Sequence, residues 1–414
     1  MVTSGKVLVL SMLFAAAAAG FAAADGAQPN AVAVAVAVEM ASGNTISANA
    51  APAGSSATNA APAPDAPAAN APPASAPEPG PAPRTLYVDD HGMDGAAGSQ
   101  SAPIRTIAEA VELARPGDTV LVRDGIYNTP LRITKGGSMV APLVIAAEHP
   151  GGAIIDGATT PPGTDLVVIG ASHVTFRGFS VRNATRSGVS VWAVTDVTID
   201  DNFVTGSHRA GIWIGAAGPG PSQGNRIIGN TVVGNCLENS ARNWPSGWPR
   251  AIAVDLSTGV LVSGNVVWQN YGEGIGLLST QSSTVAGNIV FDNFSVGIYL
   301  DNAPHSNVTG NLVFSTGDSR YYRSGAPAAG IVIANEVVPY PMPSDSISVT
   351  GNRLINAGEV HYMWFKPDAQ LTNSIIAPNI SQPTITWSKF ARIAGSMTAI
   401  PVVSWLRCGP VLHC

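Results

Sequence analysis

Lysine is almost missing from this chain, with Lys6, Lys135, Lys366 and Lys389 the only four in 414 residues. The formal net charge is −6, so no basic stripe can be drawn along the sequence. That excludes a nucleic-acid binder and a binder of anionic membrane surfaces. Cysteine is as scarce. Cys236, Cys408 and Cys414 show no metal-ligand spacing, so they predict no structural zinc site. An oxidising compartment permits a Cys408–Cys414 bridge across a short loop, leaving Cys236 as a free thiol. Leucine at fixed spacing, with a helical segment in each repeat, is also lacking. This argues against a leucine-rich repeat, although the chain does repeat with a similar period.

Both ends differ in composition from the middle. Residues 1–24 carry Lys6 in a short polar start, an apolar run from Val7 to Ala19, and Ala22-Ala23-Ala24 before Asp25, the layout of a cleaved secretory signal. A secreted or periplasmic protein with no membrane span after cleavage is the expectation. Residues 25–83 are mainly Ala, Pro, Asn and Ser, too poor in large apolar residues to offset the entropy of ordering, and read as a disordered spacer. That leaves residues 84–387 for one elongated domain. Residues 388–414 read as a C-terminal cap over its last open edge, anchored by Trp405 with Trp387 and Phe390 beside it.

The stretch from Val167 to Asn356 is a ladder. Gly264-Asn265, Gly287-Asn288 and Gly310-Asn311 recur at a step of 23 residues, and Asn202, Asn230 and Asn352 continue the phase across insertions, with Phe179 in the first rung. Three residues before each of these positions stand Phe176, Ile199, Ile227, Val262, Val285, Val308 and Val349. Two after stand Val181, Val204, Val232, Val267, Val290, Val313 and Leu354. A third apolar pair, ten and twelve after, runs from Val189/Val191 to Ile331/Ile333 with period-two alternation. Three short β-branched strands per rung cannot bury their apolar faces alone, but stacked rungs enclose one continuous core. The fold class is therefore all-β, a parallel β-helix solenoid with three strands per coil. Asparagine tolerates left-handed backbone and stacks its amides from rung to rung, so Asn235, Asn270 and Asn293 also read as a structural ladder.

Upstream, LYVDDHGMDGAAGSQSAPIRTIAEAVELARPGDTVLVRDGIY reads as strand, Gly-rich loop, helix near Ile104–Ala114 and strand. Ile107, Ala110, Val111 and Ala114 share one helix face, and Pro116-Gly117 stops it. The helix caps the open first coil. This opening resembles the N-terminal cap of secreted right-handed β-helix proteins, a group that includes family 9-like pectate lyases, chondroitinase-B-like and alginate lyases, and related domains of unknown activity. With the rungs, the resemblance covers about 270 residues. It implies a right-handed coil and a polysaccharide partner, while lyases, epimerases, hydrolases and non-enzymes share the same fold.

Insertions mark one turn. Between the second and third strands, the Asn230 rung holds Cys236–Arg250 and the Asn311 rung holds Gly317–Ala329, while the rungs between keep that turn short. Three coils at 4.8 Å predict a trough roughly 14 Å wide between the loops. Its floor is the outward column Ser190, Trp213, Ala253, Gly276, Tyr299, Val332, and its walls include Trp244, Trp248, Tyr321 and Tyr322. Trp213, Tyr299 and Trp248 suit sugar stacking. Arg209, Arg320 and Asp301 suit polar contacts to the chain, with Arg186 and Arg323 nearby.

A uronan lyase neutralises the substrate carboxylate, removes the neighbouring ring proton and supplies an acid. Arg250 or Arg209 suits the first task, and Tyr271, Tyr299 or His208 the others. Family 9-like pectate lyases use a lysine base, and the trough has no lysine. The Asp-Pro-His-Asp motif of mannuronan epimerases is absent too. Hydrolysis would instead use Glu273 with Asp255 or Asp301. Calcium, which the resemblance implies, would find hard oxygen ligands in Asp255, Glu273 and Asp301. The reading is a monomeric polysaccharide lyase on an acidic polymer, with a glycoside hydrolase or a non-catalytic carbohydrate-binding surface protein as alternatives.

Overall fold

The computed structural model describes residues 82–243, 249–358, 360–364 and 371–383. The signal sequence, the spacer before Ala82, Trp244, Trp248, the Cys408–Cys414 bridge and the C-terminal cap lie outside them. What is described is a right-handed parallel β-helix. Parallel strands stack into sheets of ten, nine and ten strands, one strand from each full coil going to each sheet.

The register follows the apolar columns. Phe176, Ile199, Ile227, Val262, Val285, Val308 and Val349 pair in sequence down the first sheet. Val181 to Leu354 do so down the second, and each of these residues is at most 2% exposed. A one-residue slip would turn every such side chain outward, so the core fixes the register. Burying each Val or Ile contributes roughly 1.5–3 kcal/mol.

The bend between the first two strands is made by glycine rather than by asparagine. Gly229, Gly264, Gly287, Gly310 and Gly351 sit at φ between +63° and +68°, a region that penalises any side chain. The following asparagines build the ladder. Asn265 Nδ2 donates to Asn288 Oδ1 at 3.0 Å and Asn288 Nδ2 to Asn311 Oδ1 at 2.9 Å. Each side-chain oxygen also accepts the backbone N–H of the asparagine above, as Asn311 does from Asn288 at 2.9 Å. Asn235, Asn270 and Asn293 form a second ladder at the next bend.

At the N-terminal end, α1 (Ile107–Leu113) is shorter than the apolar pattern predicted. Thr106 caps it by accepting Glu109 N–H at 3.2 Å. Ile107, Ala110 and Val111 are buried against the first coil.

Candidate functional site

The third sheet carries the chemistry. Its strands Ile212–Gly215, Arg250–Asp255, Glu273–Leu278, Ile298–Asp301 and Ile331–Asn335 alternate, sending the aliphatic pairs inward. The outward column Trp213, Ala253, Gly276, Tyr299, Val332 is in register. Arg250 pairs with Glu273 across neighbouring strands, and Asp255, Leu278, Asp301 and Ala334 form a further column.

Arg250 is the hub of a cluster on this face. Its Nη1 lies 2.6 Å from Asp255 Oδ1, and its side chain retains 16% exposure. Asp255 Oδ2 accepts Arg250 Nη2 at 3.2 Å and the Trp213 indole N–H at 2.8 Å. Glu273 is 5% exposed, and its Oε2 is enclosed without a hydrogen-bond partner. Burial pushes the Glu273 carboxyl up to about 8; Arg250 pulls the other way, and Glu336 and Asp301 add to the rise. Burial also pushes Asp301 to about 6, although its Oδ1 accepts the Glu336 backbone N–H at 2.8 Å. Tyr299 donates its hydroxyl to Glu336 Oε1 at 2.5 Å, and burial together with that carboxylate holds its proton well above the usual phenol range. Burial thus raises both carboxyls of the cluster, Glu273 more than Asp301.

Among the described residues the two insertions touch rather than stand apart. Arg242 Nη1 donates to Arg320 O at 2.9 Å, and Asn239 Nδ2 to Tyr271 O at 2.8 Å. Tyr271 packs on Tyr321 with ring centroids 5.6 Å apart. The insertions therefore roof the intervening coils and make one wall. Tyr271 belongs to that wall. Arg320 is held by Asp318 at 2.6 Å on the outer surface, because the carboxylate two residues away reaches it first. The opposite wall comes from the turns after the third strand, which the insertion count overlooked. Tyr340 O accepts from Ser279 Oγ at 2.8 Å, and Tyr340 lies against Gly218, so the segment after Asn335 runs back along several coils.

Arg209 stands elsewhere. With Arg186, His208 and Glu238 it lines a groove of about 560 Å³ at the turn above, its Nε 3.6 Å from Glu238. Asp255, Glu273 and Asp301 do not fit calcium: Arg250 already occupies the space a cation would take beside Asp255. Among the described residues, only Asp89, Asp90 and His91 bring three ligand atoms within 4.8 Å of one another. Two participants were missed. Glu336 follows an inward run with no repeat position to mark it. Trp192, whose ring lies 4.5 Å from Trp213, ends its strand beyond the outward column that was followed.

Known proteins match this architecture. The family described as Pel9A-like, right handed beta helix region matches residues 86–317, more than half of the chain. Pectate lyase PEL9 of Emericella nidulans is 42% identical over 79 residues, 18% of this chain and 19% of that protein. Uncharacterized protein YwoF of Bacillus subtilis is 25% identical over 211 residues, 48% of this chain and 44% of that one. The chain thus spans less than half the length of either relative. The crystal structure of alginate lyase from Paenibacillus sp. str. FPU-7 shares the fold at 14% identity and a TM-score of 0.50, covering 72% of this chain and 98% of that one. The chain belongs to the Pel9A-like right-handed β-helix family.

Proposed function

We propose that the protein is an extracytoplasmic, monomeric polysaccharide lyase that cleaves a uronic-acid-containing chain by β-elimination on the face around Arg250. The observation that carries this is Glu273, buried with its Oε2 unpartnered and in register with Arg250 on the neighbouring strand. Taking the proton next to a uronate carboxylate drives charge onto that carboxylate. A guanidinium and a neutral carboxyl are donors matched to it, and a site that keeps a carboxylic acid neutral at pH 7 can stabilise an enolate-like charge. In this scheme Asp301, ionised at neutral pH, takes the ring proton. The bond to the leaving oxygen breaks, and that oxygen takes a proton from water. The family resemblance and the pectate lyase relative support the class. The lysine base that the resemblance implies has no counterpart among the described residues, whose one lysine, Lys135, pairs with Glu112 near the N-terminal cap.

Hydrolysis is the second reading, favoured by the same pair of carboxyl groups. Glu273 protonated and Asp301 ionised are the acid and base that glycoside hydrolysis needs. The test is incubation of the purified protein with a panel of uronans and neutral glycans. Unsaturated, ultraviolet-absorbing products support elimination, saturated reducing ends support hydrolysis, and retention without products leaves a binding protein.

A further inference from the structure

The turn between the second and third strands carries a second charged feature, on the coils before the Cys236–Arg250 insertion. Thr164, Arg186, Arg209 and Cys236 follow one another there, each backbone N–H after the first donating to the carbonyl of the residue before it, at 3.0, 2.7 and 3.0 Å. This ladder crosses three coil steps, about 14 Å. Its two arginines stand on adjacent coils, and each has an acid enclosed beside it. Arg186 Nη1 lies 2.8 Å from Asp165 Oδ2, while Asp165 Oδ1 accepts the Ser187 N–H at 3.0 Å. Arg209 Nε lies 3.6 Å from Glu238 Oε1, too long for a hydrogen bond. The first turn of the insertion brings Glu238 there, its backbone N–H donating to His208 O at 2.8 Å.

The two acids are 8 and 16% exposed, and the two guanidiniums 43 and 50%. The layer that meets solvent is therefore positive, with the negative layer withdrawn from it. Among the described residues, the Arg209 guanidinium donates no hydrogen bond and Glu238 Oε1 accepts none. Charge attraction places Arg209 while its N–H donors stay available. With His208, Leu237, Pro162 and Gly163, these residues line the groove of about 560 Å³. That volume falls within the ~300–1,000 Å³ usual for small-ligand sites.

We infer that this groove is a carboxylate-binding subsite, separate from the Arg250 cluster, that holds a second uronate residue of the same polymer. The inference rests on the acidic-polysaccharide reading above. A guanidinium presents paired N–H groups that match the two oxygens of a carboxylate, and two guanidiniums one coil apart can grip a carboxylate together. A neutral sugar offers no charge to either. Ile212 pairs with Ile252, so Arg209 and Arg250 precede neighbouring third strands and succeed one another along the coil axis. The buried Cys236 thiol feels the charges of Glu238 and Arg209 as well as those of Glu273 and Arg250, which makes it a common neighbour of groove and cluster.

The test is calorimetric titration of the full chain with galacturonate and mannuronate oligomers of increasing length, and with neutral cello-oligosaccharides. Arg209→Gln removes the charge from a side chain that bonds no other, and is expected to weaken binding of long uronate oligomers about 10-fold. Arg209→Lys, a point charge without the planar fork, recovers part of that loss. Neutral oligomers bind parent and variants alike, and more weakly than uronates. Equal affinity of parent and Arg209→Gln for long uronate oligomers overturns the inference. So does a parent that binds neutral oligomers as tightly as uronates, or that binds no uronate oligomer. The lyase reading fails separately: if Arg209→Gln loses affinity but the parent releases no unsaturated products, the subsite stands and elimination does not.

Discussion

Arg250 lies across Gly276: a methyl group at Gly276 would stand 2.2 Å from Arg250 Cδ and 3.0 Å from Glu273 Oε2. The absent side chain lets the guanidinium reach Asp255 while covering Glu273. Gly276→Ala is expected to swing Arg250 off the face, because a flexible side chain gives way before backbone does. Folding persists, and kcat/KM on the active substrate falls about 10- to 100-fold through misplacement. Circular dichroism and kinetics read the two separately.

Glu273 makes stability depend on pH. Its folded value, about 8, lies above the ordinary 4.5, so the stability associated with its protonated form is complete below pH 4.5 and is lost as pH rises through 8. The loss is on the order of 3–5 kcal/mol across that window. Glu273→Gln keeps the neutral shape, so its unfolding free energy should decline less between pH 5 and 8 than the parent's. Equal slopes in denaturant titrations would count against the buried position.

Trp213 holds Asp255 through its indole N–H. Trp213→Phe keeps an aromatic face and removes the donor, at a cost of about 1–2 kcal/mol. Trp213→Ala removes both. If sugar stacks on this ring, Phe retains most of the binding and Ala loses it, as titration with oligosaccharides measures.

Within the coil, Asn288 Nδ2 donates to Val262 O at 3.0 Å and to Asn311 Oδ1, and its own Oδ1 accepts from Asn265. Asn288→Leu leaves these buried groups unpaired at about 1–3 kcal/mol each and lowers the melting temperature by several degrees. Ile298→Asp, which buries an unpaired carboxylate in the core, is expected to abolish soluble expression.

The columns from Phe176 to Val349 and from Val181 to Leu354 were legible because strand alternation and a regular step state which residue faces inward. The outward column Trp213–Val332 followed from the same arithmetic. A period records direction and rung, so it also placed Arg250 beside Glu273. It carries no information about where an insertion folds. The contact of Arg242 with Arg320, which brings the two insertions together, joins residues 78 apart. Glu336 reaches Tyr299 from a turn with no repeat phase. The state of Glu273 was likewise beyond the sequence, since a charged residue at the turn that opens a strand signifies exposure until Arg250 and its neighbours are packed over it. Local periodicity determined the coil and the address of each side chain. Tertiary packing of the non-repeating segments decided which of those addresses lost water, and desolvation is what turns a surface glutamate into a carboxyl that keeps its proton.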